Sequence, residues 1–200
     1  MRGASIGDIT VADIAKVRLA PPSGATPPVN VVRGGVVRFG MTRREAGGAE
    51  IVGYGTVPVE VAPVTAGAAV PASKSVGLFD ARFSQAGNAT LTGKGAGAIA
   101  VTVVPASDIA ALAITVDAAT GISRGAKTNV SVTATNATGD DLFGLSEVVA
   151  LTSSTPNVCT LVQVKDAGDE VFSLTGRSAG SCELTATVGA VSAAATVTVQ

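Results

Sequence analysis

Side chains able to do chemistry are few in this chain and badly assorted for catalysis. Histidine is absent from all 200 residues, which removes the commonest general acid/base and the commonest metal ligand at neutral pH. Two thiols, Cys159 and Cys182, fall short of a zinc set with no imidazole to join them. Asp140 and Asp141, with Asp166, Asp169 and Glu170, offer oxygens of the kind Ca²⁺ takes. Their spacing is not that of an EF-hand loop, and a solvated acidic loop is the simpler reading. Gly93-Lys94-Gly95-Ala96-Gly97 has the composition of a phosphate-binding loop but lacks its Gly-Lys-Ser/Thr ending and a helix to follow, so it reads as a hairpin turn. Arg33, Arg38, Arg43 and Arg44 form the main cationic group. Arg38 alternates with Val37 and Phe39, so part of that group should face outwards from a strand. A solvated face is the default reading and contact with an acidic partner surface the functional one. No catalytic residue, metal or cofactor is expected.

The elements that must carry these residues are strands. Hydrophobic residues make up 46% of the chain and charged residues 14%, enough apolar material for real cores. Ala and Val dominate, with five Phe, one Tyr and no Trp. Such side chains fill thin sandwiches and give little platform for stacking a sugar or a base. The net charge of −1 gives no overall attraction to nucleic acid. No run approaches the 18 or so apolar residues of a membrane-spanning helix. The first eight residues lack the apolar core of a secretion signal, so the chain reads as a trimmed secreted protein or as a complete frame made in the cytoplasm. The second reading is preferred, because Arg2 is bulky enough to retain the initiator Met, and it suits a virion protein released by lysis.

The sequence repeats itself. Asp13-Ile14-Ala15 recurs as Asp108-Ile109-Ala110, and Arg33-Gly34 with its alternating run 36–41 recurs as Arg124-Gly125 with 129–134. Ala86-Gly87-Asn88-Ala89-Thr90-Leu91-Thr92 matches Ala179-Gly180-Ser181-Cys182-Glu183-Leu184-Thr185, and each half closes on a β run, 100–104 and 195–199. Equal landmark order points to two copies of one domain. Residues 57–61 and 148–152 read as further strands, with Pro58 at an edge or bulge. Residues 110–113 would pass for helix by their alanines, but Ile114-Thr115-Val116-Asp117 favours a first strand. Turn signals at Gly47-Gly48, Thr155-Pro156-Asn157, Ala167-Gly168-Asp169 and Ala179-Gly180 have the short spacing of a sandwich. Residues 1–12 precede the first landmark and form an arm, with Ile6, Ile9 and Val11 as apolar anchors for strand pairing. The domains are expected at 13–105 and 106–200.

The second half resembles the bacterial Ig-like group 2 domains of adhesins, surface proteins and phage tail proteins. The likeness rests on residues 151–160 (LTSSTPNVCT), on residues 178–187 (SAGSCELTAT) and on the closing strand 195–199. It covers about 108–200 directly and 13–105 only through the repeat; the first copy has Ala62-Pro63 where a serine-rich turn is expected, and no cysteines. The resemblance implies an all-β chain of two tandem immunoglobulin-like β-sandwich domains with no catalytic residues to carry over. It also places Cys159 and Cys182 on neighbouring strands, where a disulfide would contribute roughly 3 kcal/mol; two buried thiols are the alternative. The sequons at Asn88, Asn129 and Asn136 are incidental in such a chain.

Residues 1–105 hold ten Lys/Arg and six Asp/Glu, and residues 106–200 four and nine. Opposite charge on tandem domains suits head-to-tail contact or docking on a charged lattice. The expected function is a non-enzymatic structural or interaction module at an extracytoplasmic surface, a virion or a bacterial cell. Its partners would be proteins of an assembly or surface lattice. A carbohydrate-binding or adhesion module meeting a surface glycan is the alternative. An enzyme is third.

Overall fold

Burial along the strands follows a period of two, and that period sets which residues make the core. The computed structural model describes residues 16–51, 59–71, 77–93, 95, 97–118, 121–164 and 171–200. In the first half lie β1 (Lys16–Ala20), β2 (Val29–Val32), β3 (Val36–Arg44), β4 (Val59–Ala62), β5 (Gly67–Pro71), β6 (Leu78–Phe83), β7 (Gly87–Gly93) and β8 (Ile99–Val104). The second half holds β9 (Ala111–Val116), β10 (Lys127–Thr135), β11 (Asp141–Leu142), β12 (Ala150–Ser153), β13 (Cys159–Gln163), β14 (Val171–Gly176), β15 (Gly180–Val188) and β16 (Val191–Val199). Two three-residue 3₁₀ turns, Val64–Ala66 and Ala106–Asp108, are the helical segments among the described residues.

The first half pairs its strands as β1-β3-β6-β5 and β2-β8-β7-β4. One apolar cluster joins these sheets, with Val17, Phe39, Phe79, Phe83, Leu91 and Val101 at its centre. Phe39 and Phe79 stack there with ring centroids 5.4 Å apart. The second half pairs β11-β10-β14-β13, with β9 on β10, against β12-β15-β16. Its cluster contains Val130, Leu174, Leu184, Val197 and both cysteines. The chain is all-β, built of immunoglobulin-like sandwiches.

The repeat is visible strand for strand. β3, β6, β7 and β8 have the neighbours that β10, β14, β15 and β16 have. β2 runs parallel to β8, and the single bridge from Ile122 to Val199 is parallel too. Even the small connections agree, since Arg44 bridges Glu50 as Thr135 pairs with Asp141. Gly87 and Gly180 open β7 and β15 with φ of 126° and 146°, a conformation that only glycine takes without cost. That requirement explains the recurring Ala-Gly signal.

One expectation shifts and another holds. The strand read at 148–152 begins only at Ala150, because Val148 and Val149 both donate to the Leu145 carbonyl at 2.8 Å and close a turn. Residues 111–113 are extended in β9, where six residues pair with β10 and override alanine's helical preference. Pro58, the 13–15 landmark, the 167–169 turn and the arm lie outside the described residues.

Phe39→Ala should cost about 3–5 kcal/mol, because it empties a fully buried site. Val162→Thr, at a side chain 65% exposed, should stay within about 0.5 kcal/mol of the parent. Urea unfolding of the two variants checks both.

Candidate functional site

The four arginines do not share a face. β3 alternates with Val37, Phe39, Met41 and Arg43 inward, so Arg43 is buried and sits opposite Val17 of β1. Arg38 points the other way and forms a forked pair with Asp80 of β6, Nε to Oδ1 at 2.7 Å and Nη2 to Oδ2 at 3.1 Å. These two residues are direct cross-strand partners, the arrangement in which opposite charges reinforce a sheet. Arg44 is exposed and donates to the Gly48 carbonyl at 2.9 Å. Arg33 is exposed in the turn between β2 and β3. The strand period divides the group: part of it faces outwards, with Arg33 and Arg44 outermost, and Arg43 is turned into the core.

Cys159 opens β13 and Cys182 lies in β15, strands that belong to opposite sheets of the second sandwich. They form a disulfide with Cα atoms 5.8 Å apart and a separation of 23 positions in sequence. Both are fully buried, so the bridge staples the two layers through the core. In the first half the strand registers put Gly67 and Ala89 at the equivalent places. That half relies on its three phenylalanines instead.

Asp140 works within its own loop. Asn136 Oδ1 accepts from the Thr138 and Asp140 N–H groups at 3.0 and 2.8 Å. Asp140 Oδ2 in turn accepts from Thr138 Oγ1 at 2.6 Å and Asn136 Nδ2 at 2.9 Å. Those donors, Thr138 first, hold the Asp140 carboxyl below its ordinary value. Among the described residues no acidic group is arranged to hold a metal ion; Asp166, Asp169 and Glu170 lie outside them. Gly95 and Gly97 lie in the connection between antiparallel β7 and β8, and Lys94 and Ala96 are outside the described residues. Ile6, Ile9 and Val11 of the arm also lie outside them.

Sequence reasoning missed the contact between the halves. β2 has the first sandwich on one side and the second on the other, so Val31 enters the first cluster and its neighbour Val32 the second. The Val32 N–H donates to the Phe143 carbonyl at 2.9 Å, and the Phe143 N–H donates to the Asn30 carbonyl at 2.9 Å. Phe143 packs against the first cluster in return. Arg82 of β6 pairs with Glu147 across the same junction. An open groove beside it is lined by Ser23, Gly24, Asp141 and Phe143. The signal for this contact was present as an apolar Val32 and a glycine at 35 where the second copy has Ser123 and Ala126.

No protein-family model and no curated protein matches the chain. Among solved structures, domains 4–9 of the surface layer protein SbsC match over 93% of this chain at 18% identity and a TM-score of 0.45. This chain covers 31% of that structure's length. The Escherichia coli adhesin FdeC matches over 98% of this chain and 66% of its own, at 20% identity and a TM-score of 0.41. The Yersinia pseudotuberculosis adhesin InvE matches over 99% and 62%, at 15% identity and a TM-score of 0.37.

Reducing the Cys159–Cys182 bridge should lower stability by roughly 3 kcal/mol, seen as a drop in urea midpoint on adding reductant. Asp140 has its folded-state pKa lowered, so its contribution is complete above the unfolded value of about 3.9 and is lost as pH falls through the folded value. Asp140→Asn should therefore flatten the acid limb of the stability profile below about pH 4, measured by urea unfolding at a series of pH values.

Proposed function

We propose that residues 13–105 and 106–200 are two domains of a non-enzymatic interaction module displayed outside the cytoplasm, in a virion or on a bacterial surface. The observation that carries this reading is the fully buried Cys159–Cys182 bridge. Disulfides of this structural kind form and persist in oxidising surroundings. The stacked sandwiches add to it, because they present strand edges on which an assembly can build. β13 ends its sheet, and Val162 on it is exposed. Arg33 and Arg44, on the half richer in basic residues, are the cationic groups offered to an acidic partner surface.

The redox half of the proposal is tested on protein from its native source, by intact mass before and after alkylation. A mass two hydrogens below the dithiol form is expected, and free thiols would remove the case for an extracytoplasmic location. The docking half is tested with Arg33→Glu/Arg44→Glu and, separately, with residues 2–12 deleted. At least one variant should fold like the parent yet fail to join its particle or envelope fraction, and the fraction that retains the parent distinguishes virion from cell surface. Parental attachment of both variants would strike the arm and these arginines from the docking surface. Hydrolysis or group transfer by the purified chain, abolished by changing one polar residue, would overturn the non-enzymatic reading.

A further inference from the structure

The two halves build the turn after their leading strand in the same way. Arg33 and Arg124 donate their N–H groups to the last strand's end, to Val104 O and Gln200 O, both at 2.8 Å. Gly34 and Gly125 follow with φ of 88° and 81° and donate to Phe83 O and Gly176 O. Gly35 and Ala126 then donate back to Val32 O and Ser123 O, each at 3.0 Å. Three matched bonds fix the equivalence: Val32 corresponds to Ser123, and Gly35 to Ala126.

At those two positions the halves have opposite chemistry. Val32 is fully buried in the second half's cluster, whereas Ser123 is exposed. Gly35 lies so close to the facing Phe143-Gly144 backbone that a Cβ there would come within 1.7 Å of the Gly144 carbonyl oxygen and 2.6 Å of its carbon. Neither atom belongs to a flexible side chain, so nothing gives way cheaply. Gly144 is confined as well: its φ is 81°, and a Cβ on it would stand 3.0 Å from Val37 and 3.2 Å from Val31. Two glycines thus let two backbones approach, and Val32 and Phe143 fill the space on either side.

We infer that the pole of the first half is a socket for the Phe143-Gly144 segment, and that the equivalent pole of the second half is closed to such a segment. The Ala126 methyl occupies the space that Gly35 leaves empty, and Ser123 supplies no apolar filling. The contact is directional. It couples these two halves into one unit, and a domain stacked on the second half has to use a different junction.

The test transplants the closed pole onto the open one in the full chain, as Val32→Ser/Gly35→Ala, with each single variant alongside and Ala126→Gly as the control. Hydrogen exchange is read at the Val32 and Phe143 amides, which make the junction bonds, and at Val101 and Val130 in the two cores. The double variant should exchange at least tenfold faster at 32 and 143 while 101 and 130 keep their protection. Its thermal unfolding should split where the parent gives one transition. Ala126→Gly should leave all four amides unchanged. Parental protection at 32 and 143 in the double variant would overturn the inference, because Ser and Ala would then be compatible with the socket. Loss of protection at 101 as well would mean a damaged first half, and the Val32→Ser single variant then decides by the same criterion, since it leaves the backbone approach intact.

Discussion

The parallel pairing of an early segment with the last strand is the interaction on which each half depends. β2 lies along β8 from Val29 to Val32, and Ile122 meets Val199 in the same sense. The partners are some seventy residues apart in sequence, so the pairing closes a long loop and its entropic cost is met only when the sheets between are in place. The Arg-Gly turn then secures the closure, with one N–H to the last strand and one to β6 or β14. Everything downstream inherits this geometry. In the first half it fixes where β3 begins and therefore which arginines face out. It also holds β2 at the margin of its sandwich, with Val32 turned away from its own core.

The small side chains make the sandwiches thin, and the halves answer that differently. Phe39, Phe79 and Phe83 fill the first core, two of them stacked. The second has Phe172 and a disulfide spanning its layers. A covalent staple and a few large rings are two routes to the same end, since each offsets the limited apolar area that Ala, Val and Thr bury. Polar side chains on the sheet faces and in the loops are paired as well. Arg38 meets Asp80 on the neighbouring strand, and the Asn136–Asp140 loop satisfies its own backbone through Asn136.

Much of the architecture was legible in the sequence because the period-two alternation and the glycine turns are local signals. Val130, Val132 and Ala134 point inward as their spacing says, and Gly87 and Gly180 stand where a positive φ is needed. The sequence alone did not sort the basic cluster, because nearness in sequence is not nearness in space on a strand: Arg43 and Arg44 are adjacent residues on opposite faces. The start of β12 was misplaced for a related reason. Val148 and Val149 look like strand, but the Leu145 carbonyl takes both their N–H groups. The junction escaped because it is a contact between halves, and nothing in either half's own pattern requires a partner for Phe143.

A repeated fold separates what a position does for folding from what it does for contact. Where both copies keep the same residue type in the same geometry, as at Gly34 and Gly125, the backbone demands it. Where geometry is shared and residue type differs, the backbone is indifferent and something outside the turn explains the choice. Gly35 and Ala126 make the same hydrogen bond, so glycine is not needed there for the turn; it is needed because Gly144 comes so close. The same reasoning applies to Val32 beside Ser123, and to Ala89 beside Cys182, where the difference lies in the core rather than at the pole. Paired positions in one chain therefore act as a control on each other, and they locate the socket from geometry and residue type together.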